Sequence, residues 1–295
     1  MSNRGRGGIA DVRRPITGRV IAVTGGARGI GREIAAQLAR AGARVAIGDI
    51  DGSAARATAV ELGAQVRGFD LDVADRASFA AFLAAAEQGW DPLDVLVNNA
   101  GVMWVGPFDR EPEAVRRRQF DVNVHGVVNG VTLAAPAMRT RGAGHIVTVA
   151  SAASKLAPPG ESSYAATKHA ILGYLTGVRA ELRDSGVDLS VIMPTVVDTE
   201  LAAGTDNGGV ALLQPADVAR AVVRAIERPR FEVTVPGYVG PLLRAVNVLP
   251  AFLRDRVLLA MVPDQVAAVH DSSSRSDYEH RVYDPASTPT SGNSR

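Results

Sequence analysis

The sequence predicts an α/β fold: a doubly wound, mostly parallel seven-stranded sheet with helices on both faces. Three observations predict it. Short β-type runs alternate with helical patterns from residue 19 to residue 235. Most of those runs are nearly continuous in apolar residues, as strands covered on both faces are. A glycine-rich turn follows the first run and opens a helix. Regular βαβ alternation implies parallel strands joined by crossover helices.

In order, the strands are expected at "RVIAV" (19–23), "RVAIG" (44–48), "QVRGF" (65–69), "LDVLV" (93–97), "HIVTV" (145–149), "DLSVIM" (188–193) and "FEVTV" (231–235). Before them lies a basic, Gly-rich stretch with no apolar h-region, which is not a secretory signal. It reads as a flexible leader over 1–17, followed by one Rossmann-type α/β domain over 18–240. From 241 the pattern becomes helical and amphipathic, broken by Pro250 and Pro263, so a helical extension is expected over 241–270. Residues 271–295 are polar and Ser-rich and read as a disordered tail.

The bulk composition narrows the function. The chain has 295 residues, of which 46% are hydrophobic, enough for one large core. A formal net charge of +1 argues against a general nucleic-acid footprint. Cysteine is absent, which removes disulfides, thiolate metal sites and cysteine nucleophiles, and fits a cytoplasmic protein. No metal site is expected. No apolar run reaches the roughly 18 residues of a membrane span.

In such a sheet, ligands bind beyond the carboxyl ends of the strands. The first such loop reads "TGGARGIG", with Gly25, Gly29 and Gly31 spaced G-x-x-x-G-x-G, and Ile30 starts the inner stripe of the helix that follows. Glycines admit a pyrophosphate close to the backbone, and the helix N-terminus attracts its charge. A tight turn without a ligand is the plainer alternative, but the position after the first strand of a βαβ run favours a dinucleotide. Asp49 ends the second strand, eighteen residues beyond Gly31, where a carboxylate suits the adenosine ribose hydroxyls. A carboxylate there repels a 2′-phosphate and favours NAD over NADP. Arg28 pulls the other way, and Asp51 is a rival for the ribose.

Ser151 closes the fifth strand, and Tyr164 follows thirteen residues later, with Lys168 one helical turn on. Tyr164, Lys168, Ile171, Leu172 and Leu175 share one helix face. A cation on that inward face has a chemical use. A free phenol has a pKa near 10 and is a poor base at neutral pH, and a neighbouring cation favours the phenolate. Lys168 is therefore expected to lower the pKa of Tyr164, with Ser151 donating to the substrate oxygen.

These residues, together with "TGGARGIG" (24–31), "DLDV" (70–73), "NNAG" (98–101), Asn123 in "FDVNVHG" and "YAATK" (164–168), resemble the short-chain dehydrogenase/reductase family, in order and spacing, over roughly 18–240. The resemblance implies a Rossmann-type fold and an oxidoreductase. It implies that Asn123, Ser151, Tyr164 and Lys168 are catalytic, with Asn123 holding a water of a proton relay and Lys168 also holding the nicotinamide ribose. It implies that Asp72 and Val73 meet the adenine, that Asn98 and Gly101 support the adenosine half, and that Val197 and Thr199 meet the carboxamide end. The chain departs from the family at "MPTVVDTEL", where Thr195 replaces the glycine usual after Pro194. A β-branched residue excludes backbone angles that glycine allows, so the backbone beside the nicotinamide is expected to differ.

Apolar segments at 102–106 and 155–160, with Leu201, suggest an apolar alcohol or ketone as substrate, and "TELAAGTDNGG" reads as a mobile lid. The 241–269 segment is expected to pack on its own protein, with contact to a membrane surface the less favoured alternative. The family resemblance implies a homodimer or homotetramer. The alternative function is a dinucleotide-sensing protein without turnover. A lyase or epimerase is a third, disfavoured by the glycine spacing.

Overall fold

A computed structural model describes residues 14–250, 252–254, 256–257, 262–269 and 272–283. Seven strands form one sheet: β1 (Val20–Thr24), β2 (Arg44–Asp49), β3 (Val66–Asp70), β4 (Val95–Asn98), β5 (Gly144–Val149), β6 (Val187–Pro194) and β7 (Glu232–Val235). Their spatial order is β3-β2-β1-β4-β5-β6-β7, and every pair is parallel. The expected strands all form, each displaced by no more than two residues at either end.

Seven helices cover the two faces: α1 (Gly29–Arg40), α2 (Gly52–Leu62), α3 (Arg76–Glu87), α4 (Glu113–Phe120), α5 (Gly126–Arg141), α6 (Ser162–Glu181) and α7 (Pro215–Glu227). One core layer joins Ile34 and Leu38 of α1 and Val218, Val222 and Ile226 of α7 to β1, β2 and β4. The other joins Phe79 and Phe82 of α3, Val131 and Met138 of α5 and Ile171 and Leu175 of α6 to the opposite face. Each of these side chains contributes on the order of 1.5–3 kcal/mol by leaving water. Local signals set the helix starts. Asp51 and Asp75 accept the first-turn N–H groups of Ala54 and Ala77, and α7 opens with a Gln214–Asp217 capping box and Pro215.

Two devices position the site. Strand order reverses between β1 and β4, which opens a crevice at their carboxyl ends. Between α4 and α5 the helix widens into a π-helical turn, Asp121–His125, with Asn123 at its centre. Such widenings recur at functional sites because they re-aim a side chain without ending the helix.

Two expectations need correction. The leader is not wholly loose: Arg14 donates its backbone N–H to Glu227 and pairs with Asp188, and Ile16 is buried. Residues 1–13 lie outside the described residues. The tail is not wholly disordered either. After α8 (Val239–Asn247) and α9 (Gln265–Val269), Ser273–Tyr283 forms a helix, α10, with Arg275 and Tyr278 buried. Composition hid this because one inward arginine and one tyrosine hold a helix that is otherwise polar. Residues 284–295 lie outside the described residues. As expected of a β-branched residue, Thr195 does not take a positive φ, and its N–H bonds the Val235 carbonyl. Its buried hydroxyl finds no hydrogen-bond partner among the described residues. No helix of the described residues is long and apolar enough to cross a membrane.

Candidate active site

The glycine loop lies in the crevice between β1 and β4. Gly25 and Gly29 have φ of +64° and +53°, a region that favours glycine. A Cβ on Gly31 would fall 1.9 Å from the Gly25 carbonyl oxygen, so no side chain fits there. The start of α1 has no acidic side chain and no side-chain cap. Helix geometry thus leaves the N–H groups of Gly29, Ile30 and Gly31 free to meet an anion. Thr199 faces them, its Cγ2 3.8 Å from the place of a Cβ on Gly29. Its hydroxyl bonds the Val197 carbonyl, which brings both residues of that loop to the same crevice.

Asn99 clamps the loop, a role that the sequence reading missed. Its Nδ2 donates to the carbonyls of Thr24 and Gly25 at 3.0 and 3.1 Å, and its N–H reaches Thr24 Oγ1. Its neighbour Asn98 does not reach the crevice as expected. Successive strand residues face opposite sides of a sheet. Asn98 therefore turns toward α5, 2.4 Å from where a Cβ on Gly130 would stand, and neither of its polar atoms finds a partner among the described residues.

Asp49 is buried, and its two oxygens accept from the N–H groups of Ala27 and Asp51 at 3.1 and 3.2 Å. Burial pushes its carboxyl above the usual range, against those hydrogen bonds and Arg28. Arg28 is not a free phosphate receptor, because it pairs with Asp51 at 3.2 Å and lies 3.9 Å from Glu200. Asp72 ends the loop after β3, accepting from Ala74 at 3.0 Å with Arg118 at 3.7 Å, and Val73 is buried beneath Gly126. This set of free N–H groups, a buried carboxylate and side-chain-free approach fits the pyrophosphate and ribose of a dinucleotide.

At the other end of the crevice stand Ser151, Tyr164 and Lys168. Ser151 is placed by β5 and by a 3-10 turn, Ala152–Ser154, whose Ala153 N–H bonds its Oγ. Tyr164 lies in the first turn of α6, near enough to the Ser151 hydroxyl for it to favour the phenolate. Lys168, 5% exposed, sets its Nζ 5.3 Å from the centre of the Tyr164 ring. Asn123 is locked in place: it donates to the Val102 carbonyl at 2.8 Å and to Thr167 Oγ1 at 3.1 Å, and accepts from the Val102 N–H at 2.9 Å. Gly101 lies between Asn123 and Lys168.

The expected lowering of Tyr164 by Lys168 is not what this arrangement produces. Burial raises the phenol above its usual range, the Glu161 carboxylate raises it further, and only the Ser151 hydrogen bond opposes them. Burial also lowers Lys168, to about 8. Desolvation is the largest cause of both shifts. At neutral pH the pair is therefore a neutral phenol beside an ammonium.

A pocket of about 190 Å³ adjoins these groups. Met103, Leu156, Leu201 and Val210 make it apolar, and Val262, Pro263 and Gln265 of the C-terminal segment close its far wall. The expected lid over 199–209 is strapped instead of loose. Gln265 exchanges two 2.8 Å hydrogen bonds with the Asp206 backbone. Arg275 donates to the carbonyls of Leu201 and Met103, and Arg281 pairs with Glu200 at 3.0 Å. The Met103 N–H in turn bonds Tyr278 Oη at 3.2 Å.

Known proteins resemble this one in the same parts. The sequence model of a family described as short chain dehydrogenase matches residues 19–208. The sorbitol dehydrogenase of Cereibacter sphaeroides is 37% identical over 65% of this chain and 75% of its own. The 1-deoxy-11-beta-hydroxypentalenate dehydrogenase of Streptomyces exfoliatus is 35% identical over 72% of this chain and 81% of its own. Other curated relatives are longer, and the chain spans only 18% of one and 45% of another. A short-chain dehydrogenase/reductase from Burkholderia phymatum, solved in complex with NAD, superposes with a TM-score of 0.73 at 28% identity, over 79% of this chain and 94% of that one.

Proposed function

Because the chain belongs to the short-chain dehydrogenase family, we propose that it is an NAD-dependent oxidoreductase interconverting an apolar alcohol and its ketone or aldehyde. The observation that carries the reading is the convergence of Ser151, Tyr164 and Lys168 on an apolar pocket at the end of a glycine-lined crevice. The free N–H groups of Gly29–Gly31 would hold the pyrophosphate, Asp49 the ribose, and Val197 and Thr199 the carboxamide end. When bound, the nicotinamide supplies hydride exchange with the carbinol carbon.

This chain's residues handle the proton. Tyr164 is neutral at pH 7 and is poised to donate its phenolic proton to a carbonyl oxygen being reduced. In oxidation the same oxygen must take the hydroxyl proton, and the Lys168 ammonium is the chain's own support for the phenolate. Ser151 donates to the substrate oxygen and stabilises charge there. Asn123, fixed by three hydrogen bonds, shapes the space beside Lys168 through which a proton would leave. The paired state of Arg28 supports NAD over NADP, since both its carboxylate neighbours repel a 2′-phosphate. The wall that Val262, Pro263 and Gln265 add beside the apolar side chains supports an apolar ligand.

The test is a screen of alcohols with NAD, followed at NADH absorbance, and then Tyr164→Phe on the best substrate. The expected outcome is a loss of about 10²–10⁴-fold in kcat/KM with NADH binding retained. Unchanged activity in that variant would remove the reading and leave a dinucleotide-binding protein without proton chemistry.

A further inference from the structure

Glu161 takes no part in the proton chemistry above, yet it is only 8% exposed and lines the same pocket as Ser151 and Tyr164. It immediately precedes the first turn of α6, and Tyr164 lies three residues on, one turn along the same face. None of the described residues hydrogen-bonds its carboxyl. The polar groups nearby are committed elsewhere: Arg275 to Glu279 and to two carbonyls, Gln265 to Asp206, and Ser163 to Glu111. Its oxygens are not among the fully enclosed unpartnered atoms of the described residues, so the carboxyl opens onto the pocket, where a ligand that brings a donor can meet it. Burial holds this carboxyl up at about 7, with the Arg275 charge opposing.

We propose that Glu161 is a specificity-determining residue, accepting a hydrogen bond from a substrate hydroxyl other than the one that reacts. The substrate class is then an apolar diol or hydroxyketone. This rests on the oxidoreductase reading for the reacting hydroxyl, which Ser151 and Tyr164 take. A neutral hydroxyl suits the site better than an ammonium, because Lys168 and Arg275 already place two positive charges around the pocket.

The experiment compares 2-hexanol with 1,2-hexanediol and 2,5-hexanediol. Binding is measured by protein NMR with NADH present, and oxidation by NAD-linked absorbance. In the wild type the better diol is expected to bind at least about tenfold more tightly than 2-hexanol, and Glu161→Leu to abolish that preference. Glu161→Gln, which keeps one acceptor oxygen, is expected to retain part of it. A purely structural role would weaken both ligands together and leave the ratio alone. Equal binding in the wild type, or an unchanged ratio in Glu161→Leu, overturns the inference. Glu161→Ala carries the same comparison if Glu161→Leu does not fold. The expected binding preference without any oxidation by the wild type would sustain the role of Glu161 while refuting the oxidoreductase reading.

Discussion

Asn123 and Lys168 border one small space, the place where a side chain at Gly101 would stand. A Cβ there lies 3.3 Å from Asn123 Oδ1 and 3.6 Å from Lys168 Nζ. Gly101→Val is therefore expected to fill the gap between the amide and the ammonium. We predict a fall in kcat of at least about tenfold with NADH affinity within twofold of the wild type, since the pyrophosphate site lies elsewhere. Loss of NADH binding in this variant would show that Gly101 serves the coenzyme site.

Gly31→Ala places a methyl 1.9 Å from the Gly25 carbonyl oxygen, a backbone atom that cannot swing aside. No rotamer relieves that contact. The loop must move, at a stability cost of about 1–3 kcal/mol. NADH affinity, read by fluorescence titration, is expected to fall at least tenfold.

Asp49→Asn removes the buried carboxylate while leaving Arg28 paired with Asp51. The kcat/KM ratio of NADP to NAD is expected to rise about tenfold, the scale of one partly screened charge contact. A ratio that stays constant would assign cofactor choice to Asp51 or Glu200.

The division between what the sequence reveals and what it hides follows the range of the interactions. Gly25, Gly31 and Asp49 are legible because their chemistry is local: a turn, a helix start and a strand end. Tyr164 and Lys168 are legible because one helical turn brings them together. The direction of the Tyr164 shift is not legible, since it depends on how deeply both groups are buried and on Glu161. Asn98 and Asn99 show the same limit at the scale of one residue: the dipeptide is conspicuous, but the phase of β4 decides which amide faces the crevice. Arg275 and Tyr278 were hidden by their polar surroundings, because their partners Met103 and Leu201 lie far away in the chain.

Arg275→Met is expected to loosen the substrate wall and leave the coenzyme crevice intact. The buried guanidinium bonds Glu279, Leu201 and Met103, and its loss leaves those acceptors without a donor. We expect a loss of roughly 2–4 kcal/mol in thermal unfolding, a raised substrate KM and little change in NADH affinity. A variant that loses NADH binding as readily as substrate binding would contradict this division.

Two buried groups give stability opposite dependences on pH. The folded state holds Glu161 at about 7 against an ordinary 4.5, so it keeps a proton that the unfolded chain has released, and stability falls as pH rises from 4.5 to 7. His145, buried beside Ser190, is lowered to about 3 from 6.5, so the unfolded chain binds the extra proton and stability falls as pH drops from 6.5 to 3. Thermal melts of Glu161→Gln minus wild type are expected to rise with pH between 4.5 and 7. A flat difference would mean that the carboxyl is well solvated.

The wall supplied by Val262, Pro263 and Gln265, with the straps from Arg275 and Tyr278, also bears on when the protein becomes competent during its synthesis. Everything that lines the coenzyme crevice lies at or before Thr199, whereas Val262, Gln265, Arg275 and Tyr278 emerge from the ribosome far later. A nascent chain that has folded through β7 would already possess its nucleotide groove, yet the compartment for the other reactant would lie open to water. Closure of that compartment therefore waits until Arg275 and Tyr278 have been made and have reached Leu201 and Met103.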